Sequence, residues 1–194
     1  MGATSKGLAS QVDAMLVAGR PPDAAVIMIG ANDVTTLNGI TPSARRLGAA
    51  VRRLRGGGTA VVVGTCPDLG VITAIPQPLR WTARSLGLRL ARAQAGEVSA
   101  ADGIPVPLAD LLAPHFQTEP ELLFSDDHYH PSATGYALAA TQLLPALCDA
   151  LGRERHEMPR ETRPTGLATR LAPLGRLLQR RTGGVPGPAV PPAS

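Results

Sequence analysis

Apolar and polar positions change their period several times along the chain, and each change marks an element. Leu8, Val12 and Leu16 recur at helical spacing after Thr4 and Ser5, either of which suits a helix cap, and Arg20-Pro21-Pro22 ends the pattern. Residues 24–29 form a short unbroken apolar run, as in a strand buried on both faces. Gly30-Ala31-Asn32-Asp33 reads as a loop. Thr41-Pro42 supplies a cap and then a proline at the first helical position, and the helix it opens stops at Gly56-Gly57-Gly58. Residues 59–64 predict a second buried strand. A loop marked by Pro67, Pro76 and Pro78 leads into a helix over 79–95. Residues 103–107 predict a weaker third strand, whose prolines suit a sheet edge. A helical turn is expected at 110–113. A long last helix is expected from Pro131-Ser132 to Leu151, stopped by Gly152.

Strands that alternate with helices predict an α/β fold with a parallel sheet covered on both faces. In open sheets of this kind, sites form at the carboxyl ends of strands. Gly30-Ala31-Asn32-Asp33 lies just past such an end.

The pattern fails from residue 152 onward, where Arg, Pro and Gly dominate. The chain therefore divides into a domain over 1–151 and a basic tail over 152–194, expected to be largely disordered. Inside the tail, Leu167, Leu171, Leu174 and Leu178 with Arg170, Arg180 and Arg181 make a short amphipathic pattern that fits a membrane surface or a partner. Pro173 and Gly175 oppose a stable helix there.

Composition refines this picture. An apolar fraction of 44% supports one packed core, and with aromatics at 3% that core must be aliphatic. The formal charge is +4, but the tail alone holds eight Arg against three Glu, leaving 11 basic and 12 acidic residues in the rest. The basic excess belongs to the tail, so no nucleic-acid partner is expected. No segment reaches the ~20 apolar residues of a membrane span. The first fifteen residues lack the apolar run of a secretory signal. Cys66 and Cys148 form no motif and are expected to be buried free thiols.

Two segments carry candidate chemistry. In 124–136, His130 directly precedes a helix start and Asp127 lies three residues earlier. A short loop can bring that carboxylate to the far ring nitrogen of the histidine, fixing its tautomer and stabilising an imidazolium during general-base catalysis. The same spacing also fits a capping or surface pair. Asn32 follows the first strand, where a side-chain amide can donate to a developing oxyanion; a plain turn fits the same residues. Asp126, His128 and His130 fit a metal at alternating positions, but no second cluster has ligand spacing, so no metal and no cofactor are expected. His128, His115 and His156 are expected at the surface. Tyr129 and Tyr136 are expected to pack; Arg80 and Trp81 fit the lining of a substrate groove, but a helix start packed on the sheet is the expectation.

Taken together and in this order, these segments resemble a known family. Gly30-Ala31-Asn32-Asp33 after an apolar strand resembles the G-x-N-D block of the SGNH/GDSL hydrolases. Asp127-His128-Tyr129-His130-Pro131-Ser132, followed by Gly135-Tyr136, resembles their D-x-x-H-P block, and Val61 to Pro67 resembles the strand between. The resemblance implies a three-layer α/β/α, flavodoxin-like fold that hydrolyses an ester or thioester through an acyl-enzyme. The substrate would be a small-molecule, lipid or glycan ester. His130 would be the catalytic base and Asp127 its orienter. Asn32 and the Gly2 amide would serve the oxyanion hole. The chain also departs from the family, because no Gly-Asp-Ser occurs in it and only Met1 precedes Gly2. Its remaining serines, among them Ser5, Ser43, Ser125 and Ser132, read as caps, loops or surface residues. By this resemblance the nucleophile and the first two strands are missing. The run at 24–29 would then be an exposed apolar edge. A truncated hydrolase, inactive as written, is the expectation; a non-catalytic relative that binds an acyl or glycan ligand is the alternative.

Overall fold

The computed structural model describes residues 2–17, 19 and 21–157, the last five of these as backbone only. Three parallel strands, β1 (Ala24–Met28), β2 (Ala60–Gly64) and β3 (Ile104–Val106), lie in the order β1-β2-β3. Ala24 pairs with Ala60 and Met28 with Gly64, while Val62 pairs with Ile104 and Gly64 with Val106. A strand order that follows the chain order needs a crossover after each strand. α3 (Ile40–Gly56) makes the first and α4 (Leu79–Ser99) the second.

The layers follow from which residues each strand turns to which side. Ala25, Val61 and Val63 pack with Leu8 and Val12 of α1 (Leu8–Val17) and with Leu47, Val51 and Leu54 of α3. Leu47, Val51 and Leu54 recur every three or four residues and are all but sealed from water, while Arg45, Arg52 and Arg53 on the opposite side are exposed. Each such leucine contributes on the order of 1.5–3 kcal/mol of burial. Ala60, Val62 and Val106 join the second cluster. It draws Leu108 and Leu112 from α5 (Leu108–Thr118), Leu123 from α6 (Pro120–Leu123), and Ala139 and Leu143 from α7 (Ala133–Glu157). The fold is thus an α/β arrangement of helices on both faces of a parallel sheet.

The structure corrects several expectations. β1 is not buried on both faces but is the exposed apolar edge that the resemblance implied: Val26 and Met28 are 44% and 47% exposed on an edge strand. Gly30 to Asp33 is not a loop. Asn32 and Asp33 lie in the short helix α2 (Ala31–Thr35), entered through Gly30 at φ 140°. Thr41 does not cap α3, which starts at Ile40 with Gly39 before it. The turn expected at 110–113 is the whole helix α5, which carries Pro114 within it. Gly152 does not stop the last helix, which runs to Glu157. Among the described residues no helix is long and apolar enough to cross a membrane. The tail readings at Leu167 to Arg181, and the side chain of His156, lie outside the described residues.

Candidate active site

The segment between Phe124 and Pro131 closes on itself. Those two residues form an antiparallel bridge, Ser125 N donates to the His130 carbonyl at 2.8 Å, and His128 N donates to the Ser125 carbonyl at 2.8 Å with His128 at φ 49°. Closure turns the Asp127 carboxylate inward onto its own loop. Its Oδ1 accepts from the backbone N–H of Tyr129 at 3.0 Å and of His130 at 2.9 Å, and lies 2.9 Å from the Ser125 hydroxyl. Its Oδ2 lies 2.6 Å from His130 Nδ1. The hydrogen bonds with His130, then those from Tyr129 and Ser125, hold the Asp127 carboxyl well below the usual carboxylate range, against a small opposing effect of desolvation. An ionised carboxylate there fixes the proton on Nδ1 and leaves Nε2 as the basic nitrogen. Asp127 and His130 remain half and two-thirds exposed, so Nε2 is within reach of a substrate. Immediately downstream, Ser132 Oγ accepts from Gly135 N at 3.1 Å and starts α7.

The second pair forms at the carboxyl end of β1. Asn32 Nδ2 donates to the Ala3 carbonyl at 3.1 Å, which draws the first residues of the chain onto α2. Gly2 is packed so closely that a Cβ there would stand 2.1 Å from Asn32 Nδ2, so a larger residue would have to turn the Asn32 side chain aside. The amide has a second N–H, and among the described residues nothing engages it. Gly2 and Asn32 are therefore neighbours, although thirty positions separate them. No hydrogen bond among the described residues joins this pair to Asp127 and His130.

The sequence did not reveal what holds this corner. Asp33, next to Asn32, is buried and its carboxylate collects donors. Ser5 N (3.1 and 3.0 Å), Ser5 Oγ (2.7 Å), Asn38 Nδ2 (3.1 Å) and Ser43 Oγ (3.2 Å) all point to it. Arg46 Nη1 approaches the Ser5 hydroxyl at 3.5 Å. Ser5 and Ser43 are thus buried parts of a network and not surface or capping residues. Gln94 is a second hidden brace. Its carbonyl accepts from Cys66 N at 2.7 Å and its NH₂ donates to the Ile29 carbonyl at 2.9 Å, tying the ends of β1 and β2 together. Gly30 passes so near that a Cβ would meet Cys66 Cβ at 2.8 Å. Burial, and the negative charges of Asp33 and Asp68, push the Cys66 thiol up to about 12, which makes it a poor nucleophile. Cys148, expected to be buried, is exposed.

An apolar cavity of about 330 Å³ flanks α2, lined by Val34, Leu37, Ile40, Pro42, Leu86 and Leu90 beside Asp33. Asp126, His128 and His130 do not converge, and among the described residues no group of three His, Cys, Asp or Glu side chains is placed to hold a metal. Tyr129 packs on the core and sets its ring edgewise to His130 at 4.9 Å, whereas Tyr136 is exposed. Trp81, expected to pack, is 66% exposed.

Comparison with known proteins places the chain. A GDSL-like esterase of Mycobacterium tuberculosis is 65% identical over 171 residues, which are 87% of this chain and 54% of that protein. The chain thus spans about half the length of the curated relative it matches. An acetylxylan esterase from Geobacillus stearothermophilus superposes with a TM-score of 0.58 at 19% identity, covering 75% of this chain and 68% of that one. A phospholipase A1 from Streptomyces albidoflavus does so with 0.57 at 16% identity, over 75% and 76%. At such identities these two likenesses speak for the fold alone. The profile of the GDSL-like Lipase/Acylhydrolase family matches residues 1–138, a span that takes in Gly2, Asn32, Asp127 and His130, and the chain belongs to that family.

Proposed function

We propose that this chain carries the acid–base and oxyanion parts of a serine hydrolase that cleaves an ester or thioester through an acyl-enzyme. His130 Nε2 takes the proton of the attacking serine hydroxyl and returns it to the leaving alcohol or thiol. A water then attacks the acyl-enzyme, giving its proton to the same nitrogen, which passes it to the departing serine oxygen as the acid is released. Asp127 stays ionised throughout and compensates the imidazolium. Asn32 and the Gly2 amide donate to the oxyanion, and the apolar cavity beside α2 gives the acyl group a wall. The serine comes from a Gly-Asp-Ser segment that these 194 residues do not contain.

The observation that carries this reading is the 2.6 Å contact between Asp127 Oδ2 and His130 Nδ1, with Oδ1 already engaged by two backbone N–H groups and near a hydroxyl. A surface pair formed by chance would not have its carboxylate oriented from both sides. Catalytic variants of the acetylxylan esterase were made at a serine, an aspartate and a histidine three positions beyond that aspartate, the spacing of Asp127 and His130.

The test is p-nitrophenyl acetate turnover by the 194-residue chain and by the protein extended upstream in its reading frame. The chain alone should match its His130→Ala variant, and the extended protein should turn over ester only with His130 present. Turnover by the chain alone that depends on one of its own serines would overturn the assignment of the nucleophile. Equal losses from His128→Ala and His130→Ala would overturn the assignment of the base.

A further inference from the structure

Trp81 is the single tryptophan of the chain, and it stands 66% exposed near the start of α4. Leaving a large apolar side chain in water forgoes burial on the order of 1.5–3 kcal/mol. The ring is nonetheless held in place. With its carbonyl turned toward them, the Gln77 amide accepts from Trp81 Nε1 at 2.9 Å and from Arg80 Nε and Nη2 at 3.2 and 3.3 Å. Beyond Arg80, Arg84 Nε pairs with the buried Asp68 at 3.1 Å, and Asp68 also accepts from Gly70 N at 2.8 Å. One edge of the indole and one side of each guanidinium are thus fixed, while the remaining N–H donors of both arginines stay available.

These groups line a cleft of about 290 Å³, to which Thr73 and Gln117 add a hydroxyl and an amide. An acyl chain in this cleft would strip water from two guanidinium groups and offer them no acceptor. An inorganic anion would use the arginines and leave the indole idle. A pyranose ring matches both, because its C–H face stacks on an aromatic plane while its rim of hydroxyls accepts from arginine and exchanges hydrogen bonds with amides. We infer that the cleft between Trp81, Arg80, Arg84 and Gln117 is a binding site for a glycan, the alcohol portion of the ester this protein cleaves.

The cleft and the Asp127–His130 loop share a support. Phe116 lines the cleft, its ring sits edgewise on Phe124 at 4.8 Å, and Phe124 bridges to Pro131 across the base of that loop. The fate of the bound sugar rests on the esterase reading, whereas the binding itself does not.

The experiment therefore reads binding without turnover. The full 194-residue chain is titrated with xylotetraose, cellotetraose and maltotetraose while the emission of its only tryptophan is followed. A saturable change with at least one of them is expected. By calorimetry, the same sugar should bind at least about tenfold more weakly, roughly 1.4 kcal/mol, to Trp81→Ala and to Arg80→Ala, both checked for native circular dichroism. No saturable change with any of the three would overturn the site. So would unaltered affinity in Trp81→Ala, or inorganic phosphate that reproduces the emission change and competes with the sugar, which would make the cleft an anion site. None of these outcomes depends on ester hydrolysis, so an inactive chain that binds sugar would separate the failure of the esterase reading from this one.

Discussion

The two halves of the candidate active site are built in opposite ways. The Asp127–His130 half closes within a few residues: every hydrogen bond to the carboxylate comes from a residue two or three positions away, and both side chains meet solvent. The Gly2–Asn32 half is assembled from distant chain. Ser5 reaches Asp33 across 28 positions, Arg46 reaches Ser5 across 41, and Gln94 reaches Ile29 across 65, mostly away from water. A local, wet device can lose its chemistry without loosening the fold. A device braced by buried, long-range contacts cannot separate the two so cleanly.

The largest expected effect tests the local half. In the protein that carries the serine, His130→Ala should lower kcat on the order of 10⁴-fold or more, and Asp127→Asn on the order of 10³–10⁴-fold. Both should leave the thermal midpoint within about 2 °C of wild type. A midpoint drop of several degrees would break the contrast, since the loop would then be structural as well. Next, Asn32→Ala should depress kcat and kcat/KM together, on the order of 10²–10³-fold. Steady-state kinetics and a melting curve on the same variant decide it, because near-normal turnover with a lowered midpoint would reduce Asn32 to a shaper of the corner.

Asp33→Ala addresses the buried half directly. Removing the carboxylate strands the Ser5, Asn38 and Ser43 donors and should cost about 2–4 kcal/mol in urea unfolding of the 194-residue chain. Cys66 offers a sharper reading of the same event. In the native protein a thiol reagent should label Cys148 and spare Cys66, and Asp33→Ala should speed the labelling of Cys66 behind Gly30. Unchanged labelling would mean that the corner does not depend on Asp33.

The smallest effect concerns pH. The folded loop holds the Asp127 carboxyl below its unfolded value, so the charge favours the folded loop above about pH 4, the ordinary aspartate range. That contribution fades as the pH falls below this range toward the folded value. A carbon-13 titration of the Asp127 carboxyl should stay flat from pH 7 through pH 4. Ser125→Ala removes one stabilising contact and should move the midpoint upward, and a midpoint near 4 in the wild-type chain would show that the loop does not hold the carboxylate as described.

How much was legible in the sequence follows the same division. The contact of Asp127 with His130 was open to the sequence because spacing within a tight loop is a statement about distance, but the same spacing fits a capping pair, and only the resemblance to the D-x-x-H-P block singled it out. The strands were readable from their apolar runs, though the exposure of Val26 and Met28 depends on which strand lies at the edge of the sheet. Asp33, Ser5, Ser43 and Gln94 left no local trace: small polar residues look alike whether they cap, turn or meet thirty positions away. Only a turn at 110–113 is expected from the sequence, yet packing of Leu108, Leu112 and Phe116 carries helix α5 through Pro114. Of the two places the sequence allowed for Trp81, a helix start packed on the sheet and the lining of a groove, its 66% exposure excludes a packed ring, which the local pattern could not decide.

The close approach of Gly2 to Asn32 has a consequence for inheritance. With 2.1 Å between the amide nitrogen and the space a methyl group would fill, Gly2→Ala acts at a second position as well, by turning the Asn32 amide aside. Lineages that keep the amide in this place should therefore keep glycine at position 2. A side chain at position 2 should be commoner where position 32 has already lost its amide. Two codons thirty places apart would then be coupled under drift, and an alignment deep enough to count pairs should show the coupling.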